Sequence, residues 1–227
     1  MEPIALARDE YLVIASFVWI ALVIVIGEST RRLSGASPEL TRKIVHVGVG
    51  IWALPTALYF NSPLWAAFCP LTFVVLNALS YYYRLMPVIE VEGRGSPGTI
   101  YFPLVFAGLI LVLWPMGARA ASVAGLYAMG FGDAAASVVG QAWGRHRYRI
   151  GRVEKSWEGS IALFIAAFLT IYFATQVLTP HRPTWLPALG AALAAVVAEA
   201  PAGHGLDNLT VPITAAFVYL GLESLTA

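Results

Sequence analysis

Eight long apolar segments follow one another along this chain of 227 residues, with little sequence between them. They run over about residues 11–27, 44–60, 63–83, 99–115, 118–143, 158–179, 184–200 and 209–225. A helix needs roughly 20 apolar residues to cross the hydrocarbon core of a bilayer, and each segment meets or approaches that length. The chain is therefore predicted to be an all-α, polytopic integral membrane bundle of eight transmembrane helices. The number falls to seven if the break bracketed by Pro201 and Pro212 keeps one of the last two from crossing.

The composition supports this class and excludes others. Hydrophobic residues make up 59% of the chain and charged residues only 12%, which is typical of integral membrane proteins. The formal net charge of +1 excludes the strongly basic surface that a nucleic-acid partner would need. The single cysteine, Cys69, has no partner for an intrachain disulfide. With no internal repeat and no linker, residues 1–227 are expected to form one domain.

The basic residues predict the orientation of this bundle. Eleven of the fourteen Lys and Arg residues fall in the loops after the first, third and fifth segments. The other three, Arg8, Arg119 and Arg182, fall on the opposite side. By the positive-inside rule, both termini are non-cytoplasmic and the three basic loops are cytoplasmic. The first segment follows neither a basic leader nor a cleavage site, so it is expected to remain as an anchor in the cell or inner membrane.

Asp133 lies inside the fifth segment, directly after Gly132. A carboxylate at the depth of a membrane helix costs roughly 2.5–3.5 kcal/mol on insertion scales, so it needs a partner or a function. Polar residues continue from it at helical spacing, at Ser137 and Gln141. A neighbouring stripe holds only small residues, namely Gly132, Ala136, Gly140 and Gly144. Close helix packing explains the small stripe. For Asp133 two hypotheses stay open: Mg²⁺ coordination or proton abstraction, and an ion pair with a buried Lys or Arg.

Further carboxylates follow at the end of the seventh segment and before the eighth. Glu199 ends an otherwise apolar stretch, and Asp207 and Asn208 precede the next one. Asn208 could simply cap the last helix. The two acids lie on the same predicted side as Asp133 and would complete a site of hard oxygen ligands for Mg²⁺.

Cations gather on the same side, at the entry of the second segment. If a helix begins near residue 41, Arg42 and His46 share one face, and Lys43 neighbours His46. Such a cluster can hold phosphate oxygens. The alternative is a positive-inside anchor with one structural histidine.

A glycine-rich stretch at residues 93–98 precedes the fourth segment. Its glycines permit close backbone approach to a ligand, and Arg94 is the residue expected to touch a phosphate there. The alternative is a flexible loop that ends in a helix cap at Thr99.

The sequence Lys155-Ser156-Trp157-Glu158-Gly159-Ser160 begins the sixth segment. Ser156 is predicted to cap this helix, and Glu158 in the first turn complements the helix dipole. The same helix start, with Lys155 beside it and no side chain on Gly159, is also suited to binding an anion. The nearby Arg145, Arg147 and Arg149 are interpreted as simple positive-inside charge.

Together these motifs resemble the polyprenol kinase family, which includes phytol kinase, dolichol kinase and CTP-dependent diacylglycerol kinase. The similarity covers about residues 41–212 and is strongest to the bacterial and plastid phytol kinase branch. It rests on Arg42-Lys43-x-x-His46, Gly132-Asp133-x-x-Ala136-Ser137-x-x-Gly140, Lys155-Ser156-x-Glu158-Gly159-Ser160 and Glu199 with Asp207-Asn208-Leu209-x-x-Pro212. One departure is Ala134, where many members have glycine.

The resemblance implies transfer of the γ-phosphate of a nucleoside triphosphate, commonly CTP, to a lipid alcohol, with Mg²⁺. It implies catalytic roles for Asp133, Lys155, Glu199 and Asp207, the three acids also binding metal. It implies nucleotide or phosphate binding by Arg42, Lys43, His46, Arg94, Gly140, Lys155, Ser156, Glu158, Gly159, Ser160 and Asn208.

The expected partners are a nucleotide from the cytosol and an alcohol from the bilayer. The alcohol itself stays open among phytol, geranylgeraniol, longer polyprenols and diacylglycerol, and so does the oligomeric state. A cytidylyltransferase that makes a CDP-lipid is the nearest alternative activity. A transporter with a proton relay through Asp133 and His46 is less favoured, because the polar residues gather at one face rather than at the midplane.

Overall fold

The computed structural model describes residues 3–83, 97–203 and 205–226, and within them the fold is almost entirely helical. The helices are α1 (Pro3–Ser34), α2 (Pro38–Tyr59), α3 (Pro63–Tyr83), α4 (Gly98–Leu113), α5 (Arg119–Tyr127), α6 (Ala134–Trp143), α7 (Trp157–Leu178), α8 (Trp185–Glu199) and α9 (Asp207–Thr226). A π-helical turn (Ala128–Asp133) joins α5 to α6, and a hairpin of β1 (Arg147–Ile150) and β2 (Val153–Ser156) precedes α7.

The predicted apolar segments all fall on helices, to within a residue or two at their ends. Five helical stretches in the described residues are long and apolar enough to cross a membrane: Arg8–Ser34, Pro63–Tyr83, Arg119–Trp143, Trp157–Leu178 and Asp207–Thr226. The helices Gly98–Leu113 and Trp185–Glu199 are apolar but shorter. The all-α, membrane-type architecture is therefore confirmed.

The centre of the bundle is α5, which packs against α7 and α9. All residues from Ala120 to Tyr127 are buried. A Cβ atom at Gly125 would collide with the carbonyl oxygen of Pro212 and lie 2.9 Å from Cβ of Ala216. Glycine therefore allows α5 and α9 to cross at close range, as small residues do in membrane bundles.

Two of the helix starts that border the site carry serine caps. Ser37 accepts the N–H of Leu40 at 3.2 Å, and Ser156 accepts the N–H of Gly159 at 3.1 Å. The cap predicted at Ser156 is confirmed. The alternative that Asn208 only caps the last helix does not hold, because α9 already begins at Asp207 and the N–H of Asn208 donates to the carbonyl of Gly205.

The hairpin is the part of the fold that the hydropathy pattern does not predict. Its two strands pair antiparallel, with Arg147 opposite Ser156 and Tyr148 opposite Lys155. At its base, the N–H and Nδ1 of His146 lie within hydrogen-bond distance of the Glu158 carboxylate, at 3.2 and 2.7 Å. The hairpin is thereby held against the start of α7.

Candidate active site

A cavity of about 260 Å³ lies where α2, α6, the hairpin, α7 and the facing ends of α8 and α9 meet. Its lining is rich in charged and polar side chains. The described residues that line it are Glu39, Arg42, Lys43, Asp133, Ala136, Ser137, Gly140, Gln141, Arg147, Glu154, Lys155, Ser156, Gly159, Ser160, Glu199 and Asp207.

Asp133 reaches the cavity from the end of the π-helical turn and forms an ion pair with Lys43 of α2. Both side chains are almost fully buried. The turn approaches α2 closely, since a Cβ on Gly130 would lie 3.1 Å from the carbonyl oxygen of His46 and 3.2 Å from Cα of Gly50. π-Helical turns inside α-helices are frequent at functional sites, and here the turn sets Asp133 against its lysine.

A second ion pair joins Lys155 of the hairpin to Glu199 at the end of α8. Burial disfavours the charge on Lys155, but the carboxylate of Glu199 outweighs it, with smaller help from Asp207 and Asp133. The pKa of Lys155 is therefore raised above its usual value, and this lysine stays protonated at neutral pH.

Four buried polar atoms in this region have no hydrogen-bond partner among the described residues. They are Nε of Arg42, Nδ1 of His46 and both amide atoms of Asn208, Nδ2 and Oδ1. Asn208 is only 1% exposed and follows Asp207, whose carboxylate accepts the N–H of Asn208 at 3.0 Å. Buried polar groups are normally paired, so these atoms are candidates for contact with a ligand.

Small residues bring α6 against the start of α7. A Cβ on Gly159 would lie 3.0 Å from the carbonyl oxygen of Ala136 and 3.4 Å from Cα of Gly140. The predicted packing role of the small-residue stripe is therefore confirmed. The same contact places the first turn of α7 at the wall of the cavity, which Ser156, Gly159 and Ser160 line.

Most of the predicted site residues converge on the cavity. Those that line it are Arg42, Lys43, Asp133, Gly140, Lys155, Ser156, Gly159, Ser160, Glu199 and Asp207. Three described ones do not: His46 packs its ring 4.7 Å from that of Phe102, Glu158 binds His146, and Asn208 lies just behind Asp207. Arg94 lies outside the described residues.

The cavity also contains residues that were not among the predicted site residues. Glu39 accepts a hydrogen bond from Ser137 at 3.2 Å, and Ser137 accepts one from Gln141 at 3.1 Å. Arg147 also lines the cavity, although sequence reasoning interpreted it only as simple positive-inside charge. The signal that could have found it is the hairpin register, which pairs it with Ser156 of the α7 motif.

The lining contains five carboxylates and four cationic side chains. The acids are Glu39, Asp133, Glu154, Glu199 and Asp207, and the bases are Arg42, Lys43, Arg147 and Lys155. In the described part of the chain, no group of three or more His, Cys, Asp or Glu side chains is close enough to hold a metal by itself. Mg²⁺ usually binds through one or two carboxylates together with substrate phosphates, so it does not need such a group.

Comparison with known proteins shows the family. No family model matches the chain, and no solved structure matches it. The phytol kinase of Synechocystis sp. is 34% identical over 202 residues, covering 88% of this chain and 86% of that protein. The probable phytol kinase 1, chloroplastic, of Oryza sativa subsp. japonica is 32% identical over 225 residues, covering 87% and 69%. The probable phytol kinase, chloroplastic, of Zea mays is 33% identical over 225 residues, covering 87% and 71%. At this identity over most of both chains, the chain belongs to the phytol kinase family.

Proposed function

We propose that this enzyme transfers the γ-phosphate of a nucleoside triphosphate to the hydroxyl group of a prenyl alcohol such as phytol. The observation that carries the proposal is the convergence of two lysine–carboxylate pairs, Lys43–Asp133 and Lys155–Glu199, on one cavity beside a helix N-terminus. Phosphoryl transfer depends mainly on positioning and on neutralising charge, and this cavity offers both.

The phosphates of the nucleotide bind at the first turn of α7. Ser156, Gly159 and Ser160 of this helix start line the cavity, and the positive end of the helix dipole favours an anion there. Arg42, Lys155 and Arg147 surround this point from three different elements. The buried Nε of Arg42, which has no partner among the described residues, then gains one.

The balance of charge in the cavity is the reason for proposing a bound metal ion. With five carboxylates facing four cations, a triphosphate entering alone would leave the cavity strongly negative. Asp207 and the Oδ1 atom of Asn208, which has no partner among the described residues, would hold Mg²⁺ together with the phosphates. Asp133 lies within electrostatic range of Asp207. Bound there, Mg²⁺ would neutralise the charge that develops on the phosphate oxygens.

Asp133 is the group proposed to accept the proton of the alcohol. Its Oδ2 accepts from Nζ of Lys43, which leaves Oδ1 to take the hydroxyl proton. The ion pair also holds the carboxylate in one orientation, since both side chains are buried. We take CTP as the donor, because the resemblance to the polyprenol kinase family implies it.

In this proposal all eight predicted segments cross the membrane, with both termini on the non-cytoplasmic side. The cavity then faces the cytoplasm, because α2 enters it through Arg42 and Lys43 and the arginine-rich hairpin covers it. Nucleotide arrives from the cytosol, and alcohol arrives laterally from the bilayer.

The test is transfer of a γ-labelled phosphate by purified protein in detergent with Mg²⁺. We expect labelled phytyl phosphate and an equal amount of CDP from γ-labelled CTP. A cytidylyltransferase would instead release labelled pyrophosphate and leave the lipid unlabelled. Asp207→Asn, which removes one charge and keeps the shape of the side chain, is the matched control and is expected to be inactive.

The acceptor and donor panels make the test decisive. Farnesol, geranylgeraniol, a long polyprenol and diacylglycerol are compared with phytol, and ATP, UTP and GTP with CTP. If no alcohol gains label from any nucleotide while the protein remains folded, the proposal is wrong.

A further inference from the structure

A second cavity, of about 350 Å³, lies on the side of the bundle between α2, α5 and α7. We call it the side groove. Leu54 of α2, Tyr127 of α5, and Leu169 and Phe173 of α7 form most of its walls. Its size is in the range of sites that bind small organic ligands.

The walls of the side groove offer hydrocarbon contacts. None of the described residues that line it is charged. Thr170 contributes a hydroxyl group, but this donates to the carbonyl of Ala166 in the same helix at 2.7 Å. A ligand in the groove would therefore be held by apolar contact, which favours a hydrocarbon chain over a head group.

The same three helical stretches line the side groove and the active-site cavity. On α2, Lys43 lines the cavity and Leu54 lines the groove. At about 1.5 Å per residue, these two positions are roughly 16 Å apart along the helix. On α7, Ser160 lines the cavity and Leu169 lines the groove, and they are roughly 13 Å apart along the helix axis.

The stretch from α5 to the π-helical turn gives the third connection. Tyr127 lines the groove and Asp133 lines the cavity, and they are roughly 9 Å apart along the helix axis. Between them lies Phe131, which is partly exposed and whose ring centroid is 4.9 Å from that of Tyr127. Phe131 therefore lies between the polar cavity and the apolar groove along this stretch.

We infer that the side groove between α2, α5 and α7 binds the apolar tail of the acceptor alcohol, with the hydroxyl group at Asp133 and the chain running past Phe131. This inference rests on the proposed function, and it adds where the tail lies and which residues select its length. A prenyl chain suits the geometry, because one end must reach a buried carboxylate while the rest lies among apolar side chains about 9–16 Å deeper.

The first test fills the groove. Thr170→Phe adds a ring to the wall of the groove, and the hydroxyl group that it removes bonds to carbonyl groups of α7 itself. We expect the KM for phytol and geranylgeraniol to rise about tenfold, because a mismatch of even one methylene group in a hydrophobic pocket changes discrimination by roughly that factor. The KM for geraniol, whose short chain stops near Phe131, stays unchanged. Leu193→Phe, at a position on α8 that is 52% exposed, is the matched control and changes neither.

Two results of this test would overturn the inference. One is a Thr170→Phe enzyme with the wild-type chain-length profile. The other is an equal loss of activity on short and long alcohols, which would mean that the substitution disturbs the fold or the chemistry rather than the tail.

The second test uses the wild-type protein and so does not depend on a variant that folds. A prenyl alcohol with a photoreactive group at its far end is cross-linked and mapped by mass spectrometry. We expect adducts on the stretch from Leu169 to Val177, and we expect excess phytol to compete them away. Adducts spread evenly over the outer faces of α8 and α9 would mean that the groove holds bulk lipid.

The two proposals fail in different ways. If the wild-type enzyme phosphorylates no alcohol, the proposed function fails, and cross-linking still reports whether a prenyl chain occupies the groove. If phytol is phosphorylated but adducts and chain-length selection lie elsewhere, the proposed function stands and the tail site is wrong.

Discussion

Buried charges occur at both ends of this bundle, and they are satisfied in different ways. At the end opposite the cavity, Asp9 accepts the backbone N–H groups of Asn61 and Ser62 at 3.0 and 2.8 Å. Arg119 donates to the carbonyl oxygens of Ala57 and Phe60, both at 2.8 Å, and also stacks on a tryptophan. We call this set the backbone clamp.

In the active-site cavity the charges meet each other instead. Asp133 pairs with Lys43 across 90 residues of sequence, and Lys155 pairs with Glu199 across 44. Close by, the amide of Asn208 is buried with no partner among the described residues. The charged groups of the backbone clamp are therefore bonded to main-chain groups, whereas those of the cavity are paired with side chains and can also bind a ligand.

The difference teaches how to read a charge in a membrane protein. A charged side chain that bonds to main-chain groups at a helix end holds the adjoining loop in place. Replacing it lowers the stability of the fold. A charge satisfied by another movable side chain can exchange that partner for a phosphate or a hydroxyl group. Removing both members of such a pair should abolish the chemistry and leave the architecture in place, and this contrast can be measured.

The largest expected effect comes from comparing the two aspartates. Asp133→Asn should reduce phosphate transfer by about 10²–10⁴-fold, the usual contribution of a group that moves a proton. Asp9→Asn should leave activity per folded molecule unchanged, because it lies at the other end of the bundle. It should lower stability by about 1–3 kcal/mol, through weaker bonds to Asn61 and Ser62. Initial rates and thermal unfolding in detergent measure both.

A loss of specific activity in Asp9→Asn as large as that in Asp133→Asn would erase the distinction between the two ends. The same would follow if Asp133→Asn unfolded the protein, since its charge would then be structural.

The next largest effect is on stability, and it concerns the buried ion pair between Lys43 and Asp133. Lys43→Met leaves the carboxylate of Asp133 buried and unpaired, which should destabilise the protein by about 3–5 kcal/mol. Adding Asp133→Leu removes the lone charge and should restore most of that stability, while both variants stay inactive. If the double variant were less stable than Lys43→Met, the pair would be a structural element like the clamp.

Much of this fold follows from local properties of the sequence. Hydropathy over about twenty residues predicts the helices, because a backbone in lipid must satisfy its own hydrogen bonds. The Ser156 cap follows from a single turn. The grouping of Glu199 with Asp207 follows from counting segments, since Glu199 ends α8 and Asp207 begins α9. Asp133 lies inside its helical stretch, and the count of segments predicts only that it is nearer to this side of the bundle.

The partners of these acids could not be predicted in the same way. Whether Asp133 meets Lys43 or Arg42 depends on the rotation of α2 against the π-helical turn, and no pattern within one helix sets that rotation. His46 illustrates the point, because it shares the motif of Lys43 but turns toward Phe102. The hairpin was missed because its arginines were interpreted through membrane topology rather than through the alternation of a strand.

The smallest expected effect tests whether the arginines of the hairpin, like the charged side chains of α2 and α8, contact the ligand. Arg147 lines the cavity, whereas Arg149, two residues along the same strand, does not belong to its lining. Arg147→Ala should raise the KM for the nucleotide about tenfold, the worth of one hydrogen bond to a charged group, with little change in kcat. Arg149→Ala is the matched control and should leave both constants unchanged. Since a phosphate contact on the rim is screened by salt, the difference between the two variants should shrink as ionic strength rises. Equal effects of the two substitutions would mean that the hairpin supplies only a general positive field, and the boundary of the site would then run along α7.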